Sequence, residues 1–496
     1  MDQSGNSEKT DARGSPGAEL PEIHELSRNR RVGILMICCL CLLMVGLDVT
    51  AVNVALPSIA ADLDAGISGL QWTIDAYTLV MASLLMLSGS TGDRFGRKRT
   101  FIAGLTVFSV ASLLCSLAPN VELLVLFRLL QGVGGSMLNP VAMSIITNTF
   151  TEPRERAQAV GVWGAVFGVS MALGPVVGGS LVSAFDWRAI FLINIPVGIA
   201  AIFLTLRFVP ESKAPKPRRF DPVAQILVIV MLASLTFGII EAPSLGWTAP
   251  VIIASFLASA GSLAGLLLYE PRREEPLINL RFFHSIPFSS AICISIASFA
   301  AFGGFLFFNT LYLQEARGLS PVEAGFATFP MALMTVIMAP ISGRIVGRRG
   351  PRLPLVAAGI CLVAGCAMLI GLEVDTPIPY LLASYAIFGA GFGLVNTPIT
   401  NAAVSGMPRA QAGVAAAIAT TSRQVGQTLG VAVIGTIIAT RVDNSAEGLT
   451  TASHPAWWLL AGLGTFVLTL AFFGTSGRAR NSAQRTAAEL NPEALA

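Results

Sequence analysis

Charge is what this chain has least of. Only 12% of its 496 residues are Asp, Glu, Lys or Arg, where soluble domains carry about 25%. Too few polar groups remain to cover a soluble fold, which argues against a cytosolic enzyme or a nucleic-acid binder. There are three histidines (His24, His284 and His454), all outside the apolar runs. The seven cysteines show no CxxC or Cys/His ligand spacing. That speaks against a metal site, a disulfide framework or a membrane-embedded metalloenzyme, and leaves the thiols as small hydrophobes. A net charge of +3 implies no polyanionic partner, so the placement of charge matters more than its sum.

Apolar residues are abundant, at 53%. They gather into runs near 33–56, 70–91, 100–118, 122–147, 158–183, 189–209, 223–241, 250–269, 287–311, 323–346, 353–372, 379–402, 411–438 and 456–475. A spanning helix needs about 20 apolar residues, so the pattern predicts an all-α integral membrane protein of fourteen spans. An even number puts both termini on one side. Of the 32 basic residues, 27 fall in the tails and alternate loops assigned to the cytosol. The opposite loops hold only Arg188, Arg317 and Arg441, as the positive-inside rule requires. Residues 1–27 are polar and predicted disordered.

A repeat runs through the chain. Ser88-Gly89 followed by Gly92-Asp93-Arg94-Phe95-Gly96-Arg97 returns as Ser342-Gly343 followed by Val346-Gly347-Arg348-Arg349-Gly350. Pro153-Arg154 with Ala157-Gln158-Ala159 returns as Pro408-Arg409-Ala410-Gln411-Ala412. The offsets of 254 (89 to 343) and 255 (153 to 408) predict two pseudo-twofold halves with two spans inserted between them. The expected organisation is a cytosolic tail (1–32), a six-helix bundle (33–209), a linker (210–222), two inserted helices (223–270), a second six-helix bundle (287–475) and a cytosolic tail (476–496).

Ionisable groups inside a membrane are expensive and point to function. Four stand within the runs: Asp48, Asp75, Arg128 and Arg423. Glu241 and Glu270, at the ends of runs, are expected as interfacial anchors. Shifting by 255 turns Asp48 into Gly303, Asp75 into Pro330 and Arg128 into Ala383. These three charges thus have no counterparts in the second half, and a titrating role needs only one set. Asp48 is expected to take up and release a proton under the influence of Arg128, with a fixed buried ion pair as the alternative. Asp75 is expected beside Trp72 and Tyr77, near a hydrated outer mouth, with a part in proton coupling or substrate contact. Asn53 either lines the same pathway or makes an internal hydrogen bond. Arg423, Gln424 and Gln427 form a polar face suited to a substrate pathway. In the loop after the second run, Gly89 and Gly96 permit a tight turn. Asp93, with Arg94 and Arg97 nearby, is placed to hold one conformation as a gate. Gly174, Pro175, Gly178 and Gly179 predict close packing and a kink in the fifth span.

These residues resemble the major facilitator superfamily, in its fourteen-span drug:H+ antiporter branch of the QacA and EmrB type. Leu47 to Pro57 is similar to that branch's first-span motif, and Gly89 to Arg99 to the superfamily's loop motif. Arg128-Leu129-Leu130-Gln131-Gly132 resembles the span 4 motif, whose arginine is implicated in proton transfer. Gly174-Pro175-Val176-Val177-Gly178-Gly179 resembles the antiporter motif, with Ser170 in place of its leading glycine. Trp187-Arg188 with Phe191 to Pro196 is also typical of the branch. The resemblance implies proton-coupled efflux of a small amphipathic drug or antibiotic by alternating access. It implies a monomer in the cell membrane that is driven by the proton motive force and needs no cofactor. A facilitator or symporter importing a small metabolite is the alternative. With Arg423 inside a span and only Glu323 at the edge of the tenth, a neutral, anionic or zwitterionic cargo fits as well as a cationic one.

Overall fold

The computed structural model describes residues 27–214, 220–273, 276–405, 407, 412–440 and 446–490. The expected disordered tail, part of the linker and the repeated Pro408–Ala410 lie outside them, as does Arg441. The described residues form helices α1 (Arg28–Leu63), α2 (Ile67–Phe95), α3 (Arg97–Ser116), α4 (Val121–Thr149), α5 (Pro153–Ala184), α6 (Ala189–Leu192), α7 (Asn194–Phe208), α8 (Pro222–Leu245) and α9 (Pro250–Tyr269). They continue with α10 (Ile286–Leu311), α11 (Pro321–Ala327), α12 (Phe329–Arg349), α13 (Arg352–Ala367), α14 (Ile378–Val404), α15 (Ala412–Ala439), α16 (Ala446–Gly474) and α17 (Gly477–Leu490). No strand occurs among the described residues.

Each apolar run falls mainly on helix. By length and composition, eleven helical segments can cross a membrane, or twelve if α5 is counted. α5 bends by 40° between Arg154–Met171 and Leu173–Ala184. Pro175 is placed to cause this, because its ring clashes with the carbonyl four residues back. α13 is shorter, at 16 residues, and α15 carries the polar stretch around Arg423. These two fall short of the plain apolar standard that their runs suggested.

The same packing pairs recur along the chain: α1 with α5, α2 with α4 and α3 with α4, then α10 with α15, α12 with α14 and α13 with α14. Small residues set these approaches. A Cβ on Gly134 would lie 2.8 Å from the Phe108 Cα of α3, and one on Gly391 would lie 2.9 Å from the Leu362 amide of α13. The inserted helices are unequal. α9 packs mainly on α8, whereas α8 runs along both α2 and α15. Gln225 Nε2 donates to Ser83 O (2.6 Å), and Thr436 Oγ1 donates to Ile239 O (2.8 Å). α9 therefore sits at the periphery, whereas α8 is part of the packed seam. Glu241 anchors α8 to α2, accepting from Ser68 Oγ (2.8 Å) and Trp72 Nε1 (2.7 Å). Glu270 is no surface anchor. It is buried, with its Oε1 accepting from the Ile278 amide at 3.2 Å.

The start of α1 and the whole of α17 lie on one face, here the terminal face. α1 meets α5 there through Arg31 and Glu155, and Ser482 Oγ of α17 accepts from the Ile286 amide at the start of α10 (3.0 Å). α17, expected as a tail, is a mostly polar helix lying along the bundle.

Candidate functional site

The first-half charges converge. Asp48 Oδ2 accepts from Arg128 Nη1 at 2.6 Å, and both side chains are at most 1% exposed. Asp48 Oδ1 accepts from Gln131 Nε2 (2.9 Å) and from Asn194 Nδ2 (3.1 Å). Arg128 also donates from Nε to the Thr73 carbonyl (2.9 Å) and from Nη1 to Gln131 Oε1 (2.6 Å). Its Cζ stands 4.4 Å from the Tyr77 ring centroid and 5.7 Å from that of Phe191. Ser112 Oγ accepts from Gln131 Nε2 at 2.8 Å. One carboxylate and one guanidinium thus share a network drawn from α1, α2, α3, α4, α6 and α7. The charges cancel, and each bonded partner lies in the first half.

Gln131, Asn194, Ser112 and Thr73 were not singled out from sequence. Gln131 and Asn194 carry the signal that marks such partners, an amide side chain in an apolar helix. Thr73 acts through its backbone carbonyl, which no side-chain pattern reveals.

Asp75 is not at a hydrated mouth. It is completely buried, Thr78 Oγ1 reaches its Oδ1 only weakly (3.4 Å), and its Oδ2 has no partner among the described residues. The reason is the closure of α2 on α15. Gln71 Nε2 donates to Ala432 O (2.8 Å), and Thr428 Oγ1 donates to Thr78 Oγ1 (2.8 Å). Asn53 donates from Nδ2 to Val49 O of its own helix (3.0 Å) and is buried, which is the internal hydrogen bond rather than a pathway wall.

Arg423 is half-buried, about 7.5 Å along α15 from the Thr428 contact. Its Nη2 donates to Thr400 Oγ1 of α14 (2.5 Å), its Cζ lies 5.8 Å from the Phe299 ring, and its Nε is unpartnered. It pairs with no carboxylate among the described residues. Gln424 is also half-buried, with an unpartnered Oε1. Gln427 is buried in the α10–α15 contact: a Cβ on Gly303 would come within 2.7 Å of its carbonyl oxygen. The position matching Asp48 therefore has no room for a side chain.

The antiporter-motif residues form a seal at the other end. A Cβ on Gly178 would meet Ala51 Cα of α1 at 2.9 Å, and one on Gly179 would meet the Pro321 carbonyl carbon of α11 at 2.9 Å. Gly174 faces Thr50, and Gly325 of α11 lies against Pro175. Ser170 is accommodated because α1 presents Gly46 opposite it, so the missing glycine stands on the partner helix. Val322 N–H donates to Ser183 Oγ (3.2 Å), and Gln314 Nε2 donates to Val54 O (2.8 Å). These ties lie on the face opposite the termini. The first turns of α5, by contrast, are largely exposed, so the close packing of α5 on the second half is concentrated at the end opposite the termini.

At that face Gly96 takes φ +115° and ends α2. Arg97 donates to Asp93 Oδ1 from Nε (3.0 Å) and Nη2 (2.8 Å), while Arg94 is exposed. The turn docks on the segment after α7. The Arg97 amide donates to Ser212 O (2.9 Å), Ala214 N–H donates to Asp93 O (3.1 Å), and the Lys98 amide donates to Glu211 Oε1 (3.1 Å). Gly89 lies 3.7 Å, by its absent Cβ, from Pro140 of α4. Among the described residues these hydrogen bonds stay within the first half and its linker.

Two sets of packed helices, a buried ion pair and close glycine packing between them at one end accord with a membrane transporter, the class that the family match indicates. The chain belongs to the Major Facilitator Superfamily, whose family model matches residues 38–431. It is 35% identical over 406 residues to the multidrug resistance protein Stp of Mycobacterium tuberculosis, covering 82% of this chain and 75% of that protein. It is 36% identical over 403 residues to the tetracenomycin C resistance and export protein of Streptomyces glaucescens, covering 81% and 75%. It is also 36% identical over 403 residues to a methylenomycin A resistance protein of Streptomyces coelicolor, covering 81% and 84%. Among solved structures, the fold is similar to a D-xylose–proton symporter, with TM-score 0.64, 14% identity and coverage of 89% and 97%.

Proposed function

We propose that the chain exports small amphipathic drugs or antibiotics across the cell membrane by alternating access, in exchange for protons. The names of its relatives support the cargo class. The observation that carries the coupling is the Asp48–Arg128 pair, sealed in one half and held by neutral amides. Protonating Asp48 would leave Arg128 without its counter-charge, and an unpaired buried charge is costly enough to drive rearrangement. Asp75 is the second proton-carrying group in this reading: it is fully buried, and its Oδ2 has no partner among the described residues.

The reading includes fourteen spans, with α13 and α15 counted and α5 taken as one. These are arranged as six, two and six, in the QacA and EmrB branch. The terminal face is cytosolic, the cleft between the halves is open inward, and the protein works as a monomer energised by the proton motive force without a cofactor. Arg423, with Gln424, meets the cargo, and Gly89, Asp93, Arg94, Gly96 and Arg97 gate the cytosolic side. The test is drug accumulation in everted vesicles carrying wild type or Asp48→Asn. Asp48→Asn should abolish accumulation driven by a pH gradient while preserving drug exchange in its absence. Undiminished pH-driven accumulation overturns the coupling.

A further inference from the structure

The second half holds a cavity of about 270 Å³ at the terminal face, none of whose lining residues belongs to the first-half charge network. It is enclosed by the beginning of α10, the turn between α12 and α13, the end of α14, the end of α16 and the start of α17. Its charged lining is of one sign: Arg349, Arg352 and Arg480. None of the three is within ion-pair distance of a carboxylate among the described residues. The nearest acidic residue of α17 in an ion pair, Glu489, is engaged by His284 at 3.5 Å. Gly350, at φ +78°, makes the turn that brings Arg349 and Arg352 to the same cavity. Ser290, Asn401 and Thr475 add neutral polar groups to the wall, and α13 begins at Arg352 with the positive end of its dipole beside the cavity.

Three guanidinium groups around one concavity, none in an ion pair among the described residues, call for a polyvalent oxyanion, since arginine matches phosphate geometry with paired N–H donors. The rim says where that anion comes from. Phe472, Leu353 and Ile286 are exposed beside it, and Arg352 Cζ lies 5.5 Å from the Phe472 ring. In a membrane protein such apolar side chains meet acyl chains. The cavity also falls below the roughly 300–1,000 Å³ of drug-sized sites, so it suits a head group rather than a whole cargo molecule. We propose that this cavity binds the phosphate of an anionic phospholipid from the leaflet that meets the terminal face.

The test uses the purified full-length chain, offered phosphatidylglycerol, phosphatidylcholine or inorganic phosphate, with retained lipid read by native mass spectrometry. Wild type should retain phosphatidylglycerol in preference to phosphatidylcholine. The triple variant Arg349→Gln/Arg352→Gln/Arg480→Gln should bind it on the order of a hundredfold more weakly, from the usual contribution of one basic residue at a membrane surface. Arg480→Gln alone should cost about fivefold on the same basis, which keeps the test readable if the triple variant does not fold. Arg478→Gln removes the same charge from outside the cavity and should change nothing. Arginine-dependent binding of inorganic phosphate without lipid retention would overturn the lipid source and uphold the anion chemistry. Equal retention of both lipids, or retention unchanged in the triple variant, overturns the proposal.

Discussion

Separating the charge pair from its charge-free counterpart gives the sharpest expectation. In Asp48→Asn, Arg128 keeps the Thr73 carbonyl, Gln131 Oε1 and the Tyr77 ring face but loses the one negative charge bonded to it among the described residues. Removing one partner of a buried pair costs about 3–5 kcal/mol. The affected half spans nearly 180 residues (33–209), and for that size each kcal/mol moves Tm by about 2–4 °C. A loss of roughly 6–12 °C follows from the lower figure of 3 kcal/mol. In Asp48→Asn/Arg128→Gln neither charge remains, and Gln131, Asn194 and Ser112 supply amide and hydroxyl partners to the new side chains. The double variant should therefore regain most of that loss. Export driven by a pH gradient should remain absent, because no titrating group is restored. The assay is thermal unfolding of the purified variants, paired with drug transport in proteoliposomes under an imposed pH gradient. A single variant as stable as wild type would refute the energetic reasoning. A double variant that again uses the gradient would refute the assignment of Asp48 as the coupling carboxylate.

Four further outcomes follow from the packing. Gly178→Val places a branched side chain where even a Cβ would be 2.9 Å from Ala51, and overpacking of about 1–3 kcal/mol should favour separation of α1 and α5, read as faster labelling of a cysteine placed at the sealed end. Gly46→Ala should act in the same direction because Ser170 occupies the space, while Ser170→Gly should leave export unchanged. Gly96→Ala forces a side chain to φ +115° and against Glu211, a cost of about 1–3 kcal/mol, visible as a lowered Tm. Arg423→Gln should weaken binding of an acidic cargo analogue at least tenfold, as loss of one charge-assisted hydrogen bond of about 1.5–3 kcal/mol implies, and leave a cationic analogue unaffected; equal losses for both would remove Arg423 from cargo recognition.

Helix positions were legible in the sequence because runs of about twenty apolar residues have few alternatives in a membrane. The pairing of Asp48 with Arg128 was legible for a related reason, since two opposite charges in adjacent apolar helices gain by meeting. What escaped were features set by contacts between elements. Asp75 reads as an outer-end residue in one dimension, and only the docking of α15 on α2 shows it sealed. Gln427 shares a helix face with Arg423, four residues away, and only the tertiary structure shows Gly303 of α10 packed against it. Ser170 counts as a flaw in a motif until Gly46 is found across from it. α8 looks dispensable to a repeat that closes without it, but it lies along the α2–α15 seam.

The asymmetry of the halves has a packing explanation. Where the first half holds Asp48, the second holds Gly303, pressed against the Gln427 backbone. Around it the core is aromatic: Phe302 stacks on Phe392 at 4.2 Å, Phe305 stacks on Phe388 at 4.2 Å, and Trp457 meets both Phe305 and Phe308 edge-on. Such rings interlock in few arrangements, and their contacts do not depend on protonation. The first half instead buries a charge pair, Asp48 with Arg128, within its apolar core. In the proposed coupling, a proton on Asp48 would change what stabilises one bundle while the other keeps its shape. The glycine contacts between α5 and α11 and the polar ties between α2 and α15 lie where the two bundles meet. They involve little side-chain interdigitation at the glycines, so a modest change within the first bundle has a short path to opening the seal.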